Sequence, residues 1–343
     1  MSDAPLLRVA ELAKHFPLGG GLLSAPRAWV QAVNGVSFEV RRGECFGLVG
    51  ESGCGKTTVG RMILGLIPPT RGRVEFDGQD ILGLDRRGFG RVRRRMQIIF
   101  QDPYSSLDPR MTVERIVAEP LLAGARPPRA ERRRVAAGLL DRVGLRAVDL
   151  DKYPHEFSGG QRQRIGIARA LCARPELIVA DEPVSALDVS IQAQVINLLQ
   201  DLQQEFGLSY IFISHDLSVV EHVCSRIAVM YLGSIVELAP AADFSRAPRH
   251  PYTAALLAAV PLPDPHRRGA PPAMEGDVPS PIDPPAGCPF HPRCRYVFDR
   301  CPAEKPPLVP AAEGHLVACW LNDGKGLPAQ VDGLKVEDGR LLR

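Results

Sequence analysis

The chain has 343 residues, of which 45% are hydrophobic, and this is enough to build the cores of two domains. Its formal net charge of +3 is close to balance, which argues against a nucleic-acid-binding protein. No stretch approaches the ~18 uninterrupted apolar residues of a membrane span, and the N-terminus lacks the basic start and apolar run of a secretion signal. We therefore expect the chain to be made and kept in the cytosol.

The first part of the chain predicts short strands separated by turns. Residues 6–16 and 30–41 are predicted strands, the second because apolar and polar side chains alternate along it. The segment 17–26 between them is rich in Gly and Pro, so we expect a flexible excursion there. Residues 45–49 predict a short apolar strand that leads into a glycine-rich loop. The helix that follows, from residue 56, must end before a Pro-Pro pair.

The middle of the chain changes from strands to helices and back. Residues 74–78 predict a strand and a turn, and 96–100 predict a buried strand. Strand signals then vanish over 103–175, where helical periodicity predicts a helical insertion. Apolar strands return at 177–180 and 210–214, with a helix between them. Strands that are apolar on both faces and joined by helices indicate an α/β protein with a mostly parallel sheet.

The composition changes after about residue 240. Residues 261–285 contain nine prolines, which excludes a helix and favours an extended tail along the surface. The chain has one phosphate-loop pattern and no internal repeat. We therefore expect one nucleotide-binding domain over 1–245 and a small extension over 246–343.

A phosphate-binding loop is predicted by the pattern G-x-x-x-x-G-K-[ST]. The residues that fit it are Gly50-Glu51-Ser52-Gly53-Cys54-Gly55-Lys56-Thr57, followed by Thr58. The glycines let backbone N–H groups turn inward around phosphates, and the next helix adds its positive N-terminal end. Lys56 is expected to reach the β- and γ-phosphates, and Thr57 to place its hydroxyl on Mg²⁺. Cys54 has two interpretations: a thiol with a lowered pKa near the helix start, or a small filler residue without chemistry.

Two carboxylates end a predicted strand. Asp181 and Glu182 therefore lie at the carboxyl edge of the sheet, where ligands bind in such folds. Asp181 is placed to hold Mg²⁺, and Glu182 to polarise an attacking water as general base. Gln101 and His215 also follow predicted strands, although either residue alone is a weak signal.

A second helix start is suited to an anion. Ser158-Gly159-Gly160-Gln161 opens a basic helix, in which Ser158 is a good N-cap and the two glycines leave N–H groups accessible. The chain thus has two phosphate-binding helix starts but only one phosphate loop.

By the identity and order of these motifs, the chain resembles the ATPase subunit of ABC transporters over residues 6–240. The resemblance implies an ABC ATPase domain: a RecA-like parallel-sheet core, an antiparallel β subdomain and the helical insertion. It also implies ATP and Mg²⁺ as ligands and a head-to-tail dimer. In such a dimer Ser158-Gly159-Gly160-Gln161 completes the nucleotide site of the opposing subunit.

The resemblance also assigns roles to individual residues. Gln101 matches the Q-loop, which senses Mg²⁺ and the membrane partner, and His215 matches the switch histidine, which contacts the γ-phosphate. Ser185-Ala186-Leu187-Asp188 matches the D-loop, which crosses the dimer interface. Phe16 lies where the family stacks an aromatic ring on adenine, and a core phenylalanine is the alternative.

Three stretches, at 101–110, 181–190 and 250–257, resemble oligopeptide and dipeptide importers. The resemblance implies a peripheral ATPase at the cytoplasmic face of the membrane, paired as a heterodimer with a sibling ATPase. Two permeases and an external solute-binding protein complete such importers, and nucleic acid has no part in them. The same group imports nickel, glutathione and some sugars, so the solute stays open. The rivals are an exporter and a non-transport ABC ATPase that acts on nucleic acid or ribosomes.

Four of the eight cysteines, Cys288, Cys294, Cys301 and Cys319, are close together near the C-terminus. A reducing cytosol argues against disulfides, and four thiols in a proline-rich loop suit a soft metal. Their spacing is neither the bacterial ferredoxin run nor a zinc C-x-x-C pair. The resemblance to peptide importers implies a structural [4Fe–4S] cluster. Zinc, with His291 as a spare ligand, and free thiols are the alternatives.

Overall fold

The computed structural model describes residues 4–19, 26–122, 126–259, 274, 276–322, 335–337 and 340–342. Most of the predicted excursion at 17–26, and part of the proline-rich run at 261–285, lie outside these residues. The described part of the proline-rich run has no regular helix or strand, and there the amide of Gln31 donates to the carbonyl of Pro281 (2.8 Å). Within the described ranges, no helix is both long and apolar enough to cross a membrane.

The described residues form 14 β-strands and 10 α-helices. The strands are β1 (Leu7–Leu18), β2 (Ala28–Val40), β3 (Cys45–Val49), β4 (Arg71–Phe76), β5 (Gln79–Asp80), β6 (Met96–Ile99), β7 (Leu177–Asp181), β8 (Ser209–Ser214), β9 (Arg226–Tyr231), β10 (Ser234–Pro240), β11 (Val309–Ala312), β12 (His315–Val317), β13 (Lys335–Glu337) and β14 (Arg340–Leu342). The helices are α1 (Lys56–Ile63), α2 (Arg86–Arg95), α3 (Val113–Leu122), α4 (Arg129–Arg142), α5 (Gly159–Leu171), α6 (Val189–Phe206), α7 (Leu217–Val223), α8 (Ala241–Phe244), α9 (Pro251–Ala259) and α10 (Arg300–Ala303).

The largest sheet has the strand order β11-β12-β10-β9-β3-β8-β7-β6. The strands from β9 to β6 pair in parallel, whereas β10, β12 and β11 pair antiparallel at one side. A second, antiparallel sheet has the order β2-β1-β4-β5, and β13 pairs with β14. This architecture confirms the predicted α/β class, with a parallel core and an antiparallel β subdomain.

Successive residues of the parallel strands contribute to two different cores. In β7, Leu177 and Val179 pack in the core that includes the antiparallel sheet and α1. Ile178 and Ala180 pack in the core that includes the helical insertion. Because strand side chains alternate between faces and both faces are buried, the parallel strands need the continuous apolar runs that the sequence shows.

The described residues between 103 and 175 form helices and no strand, as predicted: α3, α4 and α5, with short 3₁₀ turns at Ala147–Asp151 and Pro154–Glu156. Arg133 of α4 fastens this region by donating to Glu114 (2.9 Å) and to Asp151 (2.7 Å and 2.6 Å). Helix α2 is capped by Asp85, whose side chain accepts from the amide of Gly88 (2.7 Å).

The C-terminal extension joins the main sheet. Leu316 of β12 pairs with Leu238 of β10, and β11 pairs with β12, so residues 309–317 add two strands to the sheet. Cys288, Phe290 and Cys301 are buried in the same core as the helical insertion. The described part of the extension therefore packs on the rest of the chain, with which it shares a core.

Candidate nucleotide-binding site

The carboxyl ends of four neighbouring parallel strands, β3, β8, β7 and β6, meet at one edge of the sheet. An open cavity of about 660 Å³ lies there. It is lined by Ala32, Ser52, Gly53, Gly55, Lys56, Thr57, Thr58, Gln101, Asp102, Glu182, Ser185, Ala186 and His215. Most of the residues predicted for phosphates, magnesium and catalysis are thus brought together from separate parts of the sequence.

The loop between β3 and α1 needs glycine at its two ends. Gly50 has φ +149°, and a Cβ there would lie 2.2 Å from the carbonyl oxygen of Met230. Gly55 is the N-cap of α1 with φ +104°, and a Cβ there would lie 2.2 Å from the carbonyl oxygen of Ala32. A side chain at either position would clash with fixed backbone, so the loop conformation depends on both glycines.

Lys56 is buried at the floor of the loop. Its Nζ donates to the carbonyl oxygens of Gly50 (2.7 Å) and Glu51 (2.9 Å). These bonds hold the ammonium group near the N-terminus of α1. The positive charge of Lys56 and the helix N-terminus together favour an anion at this place.

Thr57 and Asp181 form a hydroxyl–carboxylate pair. The Thr57 hydroxyl donates to Asp181 Oδ1 (2.8 Å), and Asp181 is almost fully buried. Burial raises the pKa of Asp181, and the hydrogen bond from Thr57 and the charge of Arg61 oppose that rise in part. A buried carboxylate whose ionised form is disfavoured by desolvation would gain from a cation beside it.

Glu182 stands between Gln101 and His215. Gln101 Nε2 donates to Glu182 Oε2 (2.8 Å), and His215 Nδ1 lies 3.3 Å from the same oxygen. The backbone of Glu182 has φ +46°, in the left-handed region, which costs a non-glycine residue about 1–3 kcal/mol. The side chains of Gln101, Glu182 and His215 therefore lie together in the cavity wall.

The Cys54 side chain is buried beside the phosphate loop. Burial raises the pKa of its thiol, and the nearby charge of Lys56 opposes that rise only in part. The interpretation of Cys54 as a thiol with a lowered pKa is therefore wrong. Desolvation outweighs the influence of the helix start, because the side chain points into the core that includes β1 and β2.

Several predicted site residues lie outside the cavity wall. Ser158 caps α5 and is exposed, Gln161 completes the capping box, and Gly159 and Gly160 are partly exposed beside them. Asp188 is exposed at the N-cap of α6. Phe16 lies in β1, partly exposed, with Lys14 Nζ 5.0 Å from its ring centroid.

The four clustered cysteines are close enough to influence one another. Burial raises the pKa of Cys294 to about 12, and the charges of Cys288 and Cys301 add to the rise. Cys319 is affected in the same way by the other three thiols. Within the described residues, however, no three His, Cys, Asp or Glu side chains are arranged to hold a metal ion. The donor chemistry suits a soft metal, but the side chains as they stand do not form a ligand set.

Sequence reasoning missed Ala32 and Asp102 in the cavity wall. Asp102 directly follows Gln101, so its place after a strand was an available signal. No sequence signal pointed to Ala32, because it lines the cavity only through the path of β2 and its side chain carries no chemistry.

Comparison with known proteins agrees with this geometry. The sequence model of the ABC transporter family matches residues 33–185, and that of the oligopeptide/dipeptide transporter C-terminal region matches residues 236–301. The dipeptide transport ATP-binding protein DppF of Escherichia coli is 49% identical over 93% of this chain and 95% of its own length. This chain belongs to the ABC transporter family. The oligopeptide transport ATP-binding protein AppF of Bacillus subtilis is 50% identical over 92% of this ABC ATPase and 97% of its own length.

Solved structures of ABC proteins share the fold. The ATP-binding cassette MJ0796, in a dimeric post-hydrolysis state bound to ADP and phosphate, is 29% identical with a TM-score of 0.61. The alignment covers 68% of this chain and 98% of that one. CbiO1 from Clostridium perfringens, part of the cbiONQ transporter complex, is 28% identical with a TM-score of 0.59, over 70% of this chain and 90% of its own. The fold and the ATPase class of this chain are thus those of ABC ATPases.

Proposed function

We propose that this chain is the ATP-hydrolysing subunit that powers peptide import at the cytoplasmic face of a membrane. One observation carries the proposal: a phosphate-loop cavity lined by Lys56, Thr57 and Glu182 occurs in the same chain as a match to the oligopeptide/dipeptide transporter C-terminal region. The names of DppF and AppF support peptides as the solute. Nickel, glutathione or another solute is the alternative, with the same ATPase role.

The phosphate-binding residues act by position and charge. Lys56 exchanges its bonds to the Gly50 and Glu51 carbonyls for the β- and γ-phosphates, while loop amides contact the remaining oxygens. The pair of Thr57 and Asp181 holds the magnesium ion of the MgATP substrate. A cation beside Asp181 offsets the cost of burying its charge.

Glu182 is the general base in this proposal. Gln101 and His215 contact one oxygen of its carboxylate, which leaves the other to accept a proton from the attacking water. Gln101 also senses Mg²⁺, and His215 contacts the γ-phosphate. Little covalent chemistry falls to the protein, because phosphoryl transfer is promoted mainly by positioning and by charge stabilisation.

The exposed start of α5 supports a head-to-tail dimer with a sibling ATPase. Ser158 caps that helix end, which lies on the surface and outside the chain's own cavity. The N–H groups at the start of α5 are therefore accessible to a nucleotide bound by another subunit. Asp188 lies at a second exposed helix start, and the neighbouring Val189 is 82% exposed, an unusual place for an apolar side chain.

A second cavity supports contact with permeases. It has a volume of about 470 Å³ and lies between the end of β6 and the helical insertion. Phe100, Met111 and Ile116 give it an apolar lining, and Glu119 and Arg169 give it charge. We propose that a short helix of each permease docks there, and that an external binding protein delivers the solute.

The four clustered cysteines are proposed to hold a [4Fe–4S] cluster that stabilises the extension. Their mutual proximity and soft-donor chemistry support this, although no metal-holding group is present among the described side chains. Metal analysis of anaerobically purified protein tests it. We expect iron and sulfide in the wild type and their loss in Cys294→Ser. Zinc, or reduced thiols without metal, would overturn the proposal.

The transport role is tested by mass spectrometry of proteins that co-purify with the tagged chain from membranes in mild detergent. We expect two permeases and a second ATPase. Met111→Glu, in the second cavity, should release the permeases, whereas Val148→Glu, at a side chain already 65% exposed and outside that cavity, should retain them. Recovery of ribosomes or repair proteins alone would contradict the transport role.

A further inference from the structure

The C-terminal extension reaches the phosphate loop. Arg293 Nη1 donates to Glu51 Oε2 (2.8 Å), and Nη2 donates to Oε1 (3.2 Å). The two side chains are 6% and 25% exposed, so the pair is largely shielded from water. A two-pronged guanidinium–carboxylate contact of this kind fixes orientation as well as charge.

Tyr252 makes a second contact to the same loop residue. The backbone amide of Glu51 donates to the Tyr252 hydroxyl (2.9 Å), and Tyr252 is fully buried. Its ring packs against Tyr231 (centroids 4.7 Å apart) and Phe290 (5.4 Å), and the Arg293 guanidinium lies 5.9 Å from the Tyr231 ring centroid. The two groups that contact Glu51 are therefore held by one aromatic cluster.

The contact with Arg293 offsets the negative charge of Glu51 beside the phosphate-binding loop. A carboxylate in a phosphate-binding loop repels an anionic ligand, and the repulsion is strong where water is scarce. Arg293 compensates that charge. The Glu51 side chain also lies outside the cavity wall, turned towards the extension.

We propose that Arg293 is a positioning residue of the ATP site. It holds the Glu51 carboxylate away from the phosphates and cancels its charge, while Tyr252 fixes the backbone of the same residue. The extension thereby sets the affinity of the phosphate loop for ATP. The inference rests on the proposed role of residues 50–57 in binding the phosphates.

A double-mutant cycle on MgATP affinity tests the inference with the full-length chain. Arg293→Gln should weaken binding about tenfold, because the Glu51 charge is then uncompensated. The double variant Arg293→Gln/Glu51→Gln should bind within about threefold of Glu51→Gln alone, because no charge is left to compensate. Arg295→Gln is the matched control: it removes the same charge from an exposed neighbour and should leave affinity unchanged.

Other outcomes would overturn the inference. Wild-type MgATP affinity in Arg293→Gln would overturn it. So would a loss of affinity that the added Glu51→Gln does not restore, because the cause would then be lost packing and not an uncompensated charge. If Arg293→Gln does not fold, Tyr252→Phe removes one oxygen only and should still weaken binding a few-fold; unchanged binding would count against the inference. Lys56→Ala separates the two proposals. Normal ATP binding in that variant would refute the loop as the ATP site, whereas its loss beside a normal Arg293→Gln would refute only the inference.

Discussion

The buried carboxylate of Glu237 is predicted to be the main polar anchor of the C-terminal extension. Glu237 lies in β10 and is 0% exposed. Its Oε1 accepts from the Arg249 amide (2.7 Å) and from His315 Nε2 (2.7 Å), and its Oε2 accepts from the His250 amide (3.0 Å). One side chain thus joins three segments: β10, the start of α9 and β12.

The change Glu237→Gln replaces one acceptor oxygen with a donor group. If the amide oxygen keeps the two partners of Oε1, the His250 N–H faces an NH₂ group and has no acceptor. The loss of a buried hydrogen bond to a charged group, with a donor left unsatisfied, costs about 2–5 kcal/mol. Local opening of the extension should then be about 30- to 4000-fold more frequent, at about 1.4 kcal/mol for each factor of ten.

Hydrogen exchange measured by mass spectrometry over residues 246–259 reads this opening directly. Glu304→Gln is the matched control, because Glu304 is also in the extension, is 58% exposed and forms a surface ion pair with Arg300. We expect exchange within about threefold of the wild type in that control. Equal protection of residues 246–259 in both variants would refute the reasoning that Glu237 anchors the extension.

Three further predictions concern catalysis, the loop and pH. Glu182→Gln should retain ATP binding and slow hydrolysis about 10²- to 10⁴-fold, as single-turnover assays would show; wild-type turnover would remove Glu182 from its role. Gly50→Ala should abolish ATP binding, because the new Cβ would meet the Met230 carbonyl at 2.2 Å; calorimetry that detects normal binding would contradict this. Burial lowers the pKa of His250 to about 4, so the folded chain binds fewer protons than the unfolded chain between about pH 6.5 and pH 4. Thermal stability should therefore fall as the pH falls through this range, and less so in His250→Asn; the same slope in both would argue against His250.

Local sequence signals predicted the parallel core well, and for a physical reason. The runs at 45–49, 177–180 and 210–214 are apolar throughout because both faces of these strands are buried. No helical periodicity competes with that pattern in these short runs. The phosphate loop and Asp181 with Glu182 follow these strands, so their place at the sheet edge could be predicted as well. The aromatic role of Phe16 stays a prediction.

Long-range polar contacts could not be predicted in this way. Glu237 lies in an apolar strand, where a single polar residue ordinarily indicates a solvent-facing position, and its partners come from two distant segments. Arg293 and Glu51 are 242 residues apart, and no periodicity connects them. The addition of β11 and β12 to the main sheet is equally non-local. Such contacts depend on how the chain returns to its own core, which short-range pattern does not encode.

The most direct test of the proposed function is peptide uptake into membrane vesicles that contain the whole transporter, with ATP supplied on the side of this subunit. The wild type should accumulate a labelled di- or oligopeptide only when ATP is present. A transporter carrying Glu182→Gln should bind ATP and accumulate none. Equal uptake in the two, or ATP hydrolysis that no peptide stimulates and no uptake accompanies, would contradict ATP-driven peptide import.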